Sequence, residues 1–347
     1  MDVKMRRLVE RRSFLTIGAS ALASVVFAGC PSPNLAFVGP EKGVRRKKFE
    51  FYNQVVGRTI NSVVFYPAGK NNRNDTGTCP LLLITPGFLD TSYGLEYLAW
   101  TMTRECGFYS IVFDPDDAIN ILPQGGGWFS HHLPETLENF MLLKEQLEAI
   151  GYHVPASTSL EMLRWFYTAL DGDITNQEVL AICQQAFDYR LTDAESIIWD
   201  CLDKKYDLPS KELICRDEVY LAGHSLGGFT SLQLAGAGGQ TNLPDGLVKA
   251  TLVMAPAVGF YTPADLQMVQ SPTLWLTAGQ EREGLKSPIE KLFPSCPEPT
   301  EKKVYPWFEH ADFSMTFDYL YQTGEEGWRK KERVMAAAVK FFRRWSR

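Results

Sequence analysis

The sequence lacks the positive charge that a nucleic-acid-binding protein carries. Its formal net charge is −6, and apart from a basic cluster at residues 45–48 it has no basic stripe and no phosphate-binding glycine loop. It also lacks any Cys-x-x-Cys pair, a spacing typical of zinc sites and of dithiol redox sites. We therefore expect no nucleic-acid partner, and we expect the chain to need no metal and no cofactor.

The apolar run near the amino terminus is too short for a membrane anchor helix. It covers residues 14–28, whereas a spanning helix needs about 20 apolar residues. It follows Arg11 and Arg12 and ends in Phe27-Ala28-Gly29-Cys30, so the segment resembles a twin-arginine export signal that ends in a lipobox. We expect a signal peptide over residues 1–29, a lipid on Cys30, and an exported bacterial lipoprotein anchored at the periplasmic or cell-surface side of a membrane.

The segment after the signal reads as a tether over residues 30–47, because it is rich in proline and glycine. The basic cluster at its end suits either anionic lipid headgroups or a solvated linker. Six cysteines follow Cys30, and an even count in an exported protein permits disulfides. Twin-arginine cargo folds in a reducing compartment, however, so buried free thiols are the alternative.

A serine between glycines carries the strongest functional signal. The sequence Gly-His-Ser-Leu-Gly-Gly at residues 223–228 follows a strand-like run at 218–222 and precedes a helix-like run at 229–235. A Gly-x-Ser-x-Gly motif between a strand and a helix is the nucleophile elbow of the α/β-hydrolase fold. Glycine suits the two flanking positions because the turn is strained and crowded. This pattern predicts that Ser225 is a nucleophile.

The scarcity of histidine identifies the general base. Serine needs an imidazole to take its proton, and in this fold the histidine follows the serine and the acid along the chain. Of the five histidines, three precede the elbow and His224 lies inside it. His310, after a strand-like run at 303–307, is therefore the predicted base.

The predicted acid is Glu281, in the loop after the strand-like run at 273–276. It would accept a hydrogen bond from the histidine and stabilise the imidazolium. Glu283 in the same loop and Asp265 are the alternatives.

The oxyanion hole is predicted from a second loop. The apolar run at 81–85 is typical of a central parallel strand, and Pro86-Gly87-Phe88 follows it. In this fold one oxyanion donor is the N–H after the nucleophile, here Leu226, and the other comes from this earlier loop, here Phe88.

The remaining pattern predicts an α/β protein with a mainly parallel sheet and helices on both faces. Strand-like runs lie at residues 62–66, 81–85, 110–113, 218–222, 250–254, 273–276 and 303–307. The alternation stops where residues of about 118–188 show helical periodicity, which predicts a helical cap inserted into a hydrolase domain over 48–347. Its aromatic residues either line an acyl pocket or pack the insertion onto the core. A last helix is predicted at 328–345.

Several segments together resemble one branch of the α/β-hydrolases, which groups platelet-activating-factor acetylhydrolases, dienelactone-hydrolase-like esterases and bacterial cutinases. The similar segments are Gly57-Arg58-Thr59 with the strand to Pro67, the run from Pro80 to Gly87, Arg190-Leu191-Thr192-Asp193, and His310-Ala311-Asp312-Phe313. Pro86 departs from the histidine that the family usually has there. The acetylhydrolases place their acid after the preceding strand, where this chain has Ala255-Pro256-Ala257, whereas the cutinase-like position falls on Glu281.

The resemblance implies a serine hydrolase that cleaves short acyl or phospholipid-type esters through an acyl-enzyme. A polyester, lactone or peptide substrate is the alternative within enzymes, and a binding protein that has lost catalysis is the alternative outside them. The oligomeric state does not follow from the sequence.

The anchoring prediction is tested in a bacterial host with twin-arginine export. The wild type should reach the membrane fraction as a chain that begins at Cys30 with added lipid mass, because each buried methylene of an acyl chain contributes about 0.8 kcal/mol. Cys30→Ala should lose both the lipid and this cleavage. Lysine at Arg11 and Arg12 should block export, since a receptor reads that signal. Intact mass spectrometry decides the outcome, and a chain that begins at Cys30 without lipid contradicts lipidation.

Overall fold

The computed structural model describes residues 43–68, 77–88, 90–115, 117, 141, 143–158, 161–162, 178–179, 182, 187–281, 283–316 and 323–346. The predicted signal peptide, Cys30, most of the tether and most of the predicted insertion lie outside these residues. No helix in the described ranges is both long and apolar enough to cross a membrane. Four cysteines in these ranges carry free thiols, namely Cys106, Cys201, Cys215 and Cys296.

Eight strands of the described chain form one sheet. They are β1 (Val44–Asn53), β2 (Arg58–Pro67), β3 (Cys79–Thr85), β4 (Tyr109–Phe113), β5 (Ile214–His224), β6 (Val248–Met254), β7 (Thr273–Ala278) and β8 (Thr300–Tyr305). Their order is β1-β2-β4-β3-β5-β6-β7-β8. β1 and β2 are antiparallel to their neighbours, and the six strands from β4 to β8 run parallel. The predicted mainly parallel sheet is confirmed.

The helices lie on both faces of this sheet, as predicted. They are α1 (Glu96–Cys106), α2 (Asp188–Leu202), α3 (Leu226–Leu234), α4 (Pro263–Gln267), α5 (Glu283–Leu292) and α6 (Gly324–Trp345). Short 3₁₀ helices lie at Ser92–Leu95, Lys211–Leu213, Ala237–Gly239, Phe293–Ser295 and His310–Phe313.

Alternating side chains of the central strands divide the core into two layers. Leu81 and Leu83 of β3 pack in one layer with α2, α3 and α5. Leu82 and Ile84 pack in the other layer with α1 and α6. Successive side chains of a strand point to opposite faces, so a strand covered on both faces is apolar throughout. This is why the run at residues 81–85 is a reliable strand signal.

β1 begins at Val44, inside the segment expected to be a tether. The sequence pattern does not predict this strand, because four of its first five residues are charged and it lies at the edge of the sheet. Pairing with β2 along its whole length accounts for it. The basic cluster is consequently divided between the two faces of a strand, and Arg46 forms a bidentate ion pair with Glu96 of α1.

A buried carboxyl group joins two loops at the carboxyl end of the sheet. Asp90 follows β3, and its carboxylate accepts hydrogen bonds from the Thr91 N–H (2.9 Å) and from the Thr316 hydroxyl (2.6 Å), which lies beyond β8. Burial raises the pKa of Asp90 from 3.8 to about 6, against the opposing effect of these hydrogen bonds. A folded state that binds this proton more tightly than the unfolded state loses stability as the pH rises from about 4 to about 6.

Asp90→Asn should therefore be relatively more stable at high pH. Because one pKa unit corresponds to about 1.4 kcal/mol, the difference in unfolding free energy between variant and wild type should shift toward the variant by up to about 3 kcal/mol from pH 4 to pH 8. Urea unfolding at both pH values measures the shift. Asp207→Asn removes the same charge from an exposed carboxylate and provides the control. An equal shift in both variants contradicts the assignment to Asp90.

Candidate active site

Ser225 occupies a strained turn between β5 and α3. Its φ and ψ are 54° and −120°, and the left-handed region of φ is uncommon for a residue other than glycine. The surrounding backbone holds this conformation. The Ser225 N–H donates to the Met254 carbonyl at 2.9 Å, and the Ser225 carbonyl accepts from Gly228 and Ala257 at 2.9 and 3.0 Å. Such strain persists only where the surroundings over-determine it, and it concentrates at functional sites.

Close backbone contacts explain the glycines beside the serine. A Cβ atom on Gly227 would collide with the carbonyl oxygens of Thr85 and Pro86, and one on Gly223 would collide with the Gly227 carbonyl. The helix that follows the serine therefore packs directly against the loop after β3. Only glycine permits this approach.

A chain of hydrogen bonds connects Ser225 to a histidine and a carboxylate. The Ser225 Oγ lies 2.8 Å from His310 Nε2, and His310 Nδ1 lies 2.9 Å from Glu281 Oε2. A carboxylate only accepts hydrogen bonds, so Nδ1 carries the proton and Nε2 accepts from the serine hydroxyl. The Glu281 side chain is 1% exposed and that of His310 is 21% exposed. The acid is thus shielded from water, while the imidazole reaches the surface of the site.

Sheet topology brings these three residues together. Ser225 follows β5, Glu281 follows β7 and His310 follows β8, and parallel strands place their carboxyl ends at the same edge. The structure gives Asp265, one alternative acid, a different role, because it accepts from the N–H and the hydroxyl of Thr262 in the capping box of α4. Glu283 is the first residue of α5, and its side chain lies outside the described part.

The two residues predicted for the oxyanion hole lie at the ends of adjacent strands. β3 pairs directly with β5, so Phe88 and the elbow share this edge of the sheet. Leu226 is the first residue of α3, and the first N–H groups of a helix have no acceptor within the helix. Such N–H groups favour an anion.

No protein-family model matches the chain, and no curated protein matches it in sequence. Solved structures do match. An acylaminoacyl peptidase from Pyrococcus horikoshii is similar over 88% of this chain, with 10% identity and a TM-score of 0.50, although this chain spans only 42% of that one. A ferulic acid esterase from Streptomyces cinnamoneus is similar over 91% of this chain and 92% of its own, with 12% identity and a TM-score of 0.52.

This chain has the α/β-hydrolase fold. In this fold the elbow after β5 carries the nucleophile and one oxyanion donor, and the loop after β3 carries the other oxyanion donor. The described residues contain no group of three or more histidine, cysteine or acidic side chains arranged to hold a metal ion.

His224 is a further residue of this site, and sequence reasoning gave it no role. Its buried ring places Nε2 at 2.9 Å from the His310 carbonyl, and that nitrogen donates because a carbonyl only accepts. Burial and the neighbouring His310 ring keep the pKa of His224 well below its ordinary value, so the ring is neutral. It holds the backbone of His310 in place. Its position at the end of β5, inside the elbow, was the available signal.

Arg190 is the second residue that sequence reasoning missed. In the sequence it stands out only as part of the segment Arg190-Leu191-Thr192-Asp193, which resembles a family helix. Its guanidinium is fully buried, forms a bidentate pair with Asp117 at 2.9 and 2.6 Å, and donates to the carbonyls of Pro86 and Gly87 at 2.9 Å each. These two carbonyls belong to the loop that carries Phe88.

The contact between Glu281 and His310 predicts how fast Ser225 reacts with a fluorophosphonate. Glu281→Gln should slow labelling by about 10²- to 10⁴-fold, since an amide no longer stabilises the imidazolium. Labelling is followed by intact mass over time. Glu283→Gln, two residues later at the start of α5, is the matched control and should label at nearly the wild-type rate. The reverse ranking would assign the acid to Glu283.

Proposed function

We propose that this protein is a serine hydrolase that cleaves carboxylic esters. The observation that carries the proposal is the hydrogen-bonded series of Ser225, His310 and Glu281 at a strained elbow. An imidazole 2.8 Å from a serine hydroxyl is within reach of its proton, and a buried carboxylate 2.9 Å from the other nitrogen orients the ring.

The reaction begins when Ser225 Oγ attacks the ester carbonyl and His310 Nε2 takes the hydroxyl proton. A bond forms between Ser225 Oγ and the carbonyl carbon, and the carbonyl π electrons move onto the carbonyl oxygen. The N–H groups of Leu226 and Phe88 donate hydrogen bonds to the resulting oxyanion. His310 then gives the proton to the leaving alcohol as the ester C–O bond breaks. Water then attacks the acyl carbon while His310 takes its proton. The bond between that carbon and Ser225 Oγ breaks as His310 returns the proton to Ser225, which releases the carboxylic acid and restores the serine. Glu281 stabilises the imidazolium in both halves.

The substrate class that we propose is a short acyl or phospholipid-type ester, such as a platelet-activating-factor-like lipid. The sequence resemblance supports this choice, and the proposed lipid anchor on Cys30 would keep the protein beside lipid substrates. A panel of p-nitrophenyl esters of graded acyl length tests acyl preference. A phospholipid with a short sn-2 chain tests the lipid class directly, and preference for a polyester, lactone or peptide would overturn it.

Ser225→Ala should abolish hydrolysis of p-nitrophenyl acetate while the protein stays folded. Loss of a member of a serine triad costs on the order of 10⁴- to 10⁶-fold in turnover. Turnover is measured beside near-ultraviolet circular dichroism, and Ser287→Ala, at an exposed serine of α5, is the matched control. A Ser225 variant with a tenth of wild-type turnover would exclude this serine as the nucleophile. An unreactive wild type would favour a binding protein.

A further inference from the structure

Arg190 is a fully buried charged residue that contacts none of the side chains of Ser225, His310 and Glu281. The exposed fraction of both the Arg190 and the Asp117 side chain is 0%. The free energy lost when two charges leave water is about as large as the free energy gained from their attraction. A buried ion pair therefore contributes little to the stability of the fold by itself. The contacts of Arg190 beyond Asp117 therefore indicate what the pair does.

Those contacts fix one peptide group in particular. The carbonyl of Gly87 and the N–H of Phe88 belong to the same peptide, and in a planar trans peptide they point in opposite directions. Arg190 Nη2 donates to the Gly87 oxygen at 2.9 Å, while Nη1 donates to the preceding carbonyl of Pro86 at 2.9 Å. By holding the Gly87 carbonyl, Arg190 fixes the direction in which the Phe88 N–H of the same peptide points.

We propose that Arg190 is a positioning residue of the oxyanion hole, which holds the Gly87–Phe88 peptide so that the Phe88 N–H faces the carbonyl oxygen attacked by Ser225. This inference rests on the proposed function and assigns a role that the triad does not contain. Asp117 positions Arg190 in turn, through both carboxylate oxygens.

The charge of Arg190 adds to its geometry. A cationic donor on a carbonyl polarises the peptide, which strengthens the N–H at the other end as a donor to developing negative charge. Burial opposes the charged form, but Asp117 and Tyr189 raise the pKa of Arg190 above its ordinary value, so the guanidinium stays protonated. Preorganised donors of this kind are the main source of transition-state stabilisation in acyl transfer.

Arginine is required here because of its shape. Three nitrogens of one planar group reach four acceptors, two on Asp117 and two on successive backbone carbonyls. The ammonium of lysine is a single donor atom, so it cannot span this set.

A second ion pair on the same helix allows a positioning role of Arg190 to be distinguished from a contribution to the stability of the fold. Three residues after Arg190, Asp193 of α2 pairs with Arg58 of β2 and accepts from Asn53 at 2.8 Å. Like the Arg190 pair, it joins α2 to the sheet, and its side chains are 15% exposed for Arg58 and 0% exposed for Asp193. Its described contacts lie on β1 and β2, however, and not on the loop after β3. It is therefore the matched control.

The experiment compares Arg190→Lys with Arg58→Lys. A second variant, Arg190→Met combined with Asp117→Leu, removes both charges, because an apolar pair of similar volume is often tolerated where a single buried charge is not. Its control is Arg58→Met with Asp193→Leu. Turnover and KM for p-nitrophenyl acetate are measured, together with the inhibition constant of an aryl trifluoromethyl ketone, whose adduct with serine carries an oxyanion.

We expect both Arg190 variants to lose about 10- to 10²-fold in turnover with KM within threefold, since removing a whole oxyanion donor costs about 10²- to 10³-fold. The inhibition constant should rise by the same factor as turnover falls. Both control variants should keep turnover and inhibitor affinity within about twofold, whatever they lose in melting temperature.

The inference is overturned if a folded Arg190 variant keeps wild-type turnover and inhibitor affinity, or if the Arg58 variants lose as much. Near-ultraviolet circular dichroism and a cooperative melt establish folding for each. An inactive wild type would instead overturn the proposed function, and the inference with it, whereas an active wild type with unaffected Arg190 variants overturns the inference alone.

Discussion

The left-handed backbone of Ser225 is the constraint on which the rest of the site depends. A residue held in such a conformation costs about 1 to 3 kcal/mol, and the cost is offset only if its neighbours allow no alternative. Here the neighbours are the Met254 carbonyl at the end of β6, the first turn of α3, and the close approach of Gly227 to the loop after β3. The strain exposes the hydroxyl beyond the edge of the sheet and turns the first N–H groups of α3 toward the same place.

Parallel strands bring the histidine and the carboxylate to the same edge of the sheet as Ser225. β5, β6, β7 and β8 are neighbours in that order, so the loops after β7 and β8 lie beside the elbow. Glu281 leaves β7 and His310 leaves β8, and the two side chains meet in front of Ser225. His224 then ties the elbow to the carbonyl of His310, which couples the position of His310 to that of Ser225.

Buried charges stabilise the loop after β3 from two sides and in different ways. Arg190 donates hydrogen bonds to the carbonyls of Pro86 and Gly87, and Asp117 neutralises its positive charge. Asp90 joins the same loop to Thr316 beyond β8, but it has no cationic partner among its described contacts, and burial raises its pKa to about 6. The contact made by Asp90 therefore depends on the protonation of a buried carboxyl group, whose pKa lies at about 6.

The sequence by itself determined the parts of this protein that depend on local pattern. The apolar runs of the central strands and the glycines of the elbow led to the fold and to Ser225, because each is a consequence of neighbouring residues. The scarcity of histidine and the chain order of serine, acid and histidine led to His310. The edge strand β1 was not predicted, since charged residues hide a strand whose support comes from pairing with β2. Position along the chain favoured Glu281 as the acid but left Glu283 and Asp265 as alternatives, and only the tertiary structure showed that the Glu281 carboxylate contacts His310. Arg190 and Asp117 are 73 positions apart and carry no motif, so their contact with the Gly87 carbonyl was decided by packing, which alone brings distant buried charges to one peptide group.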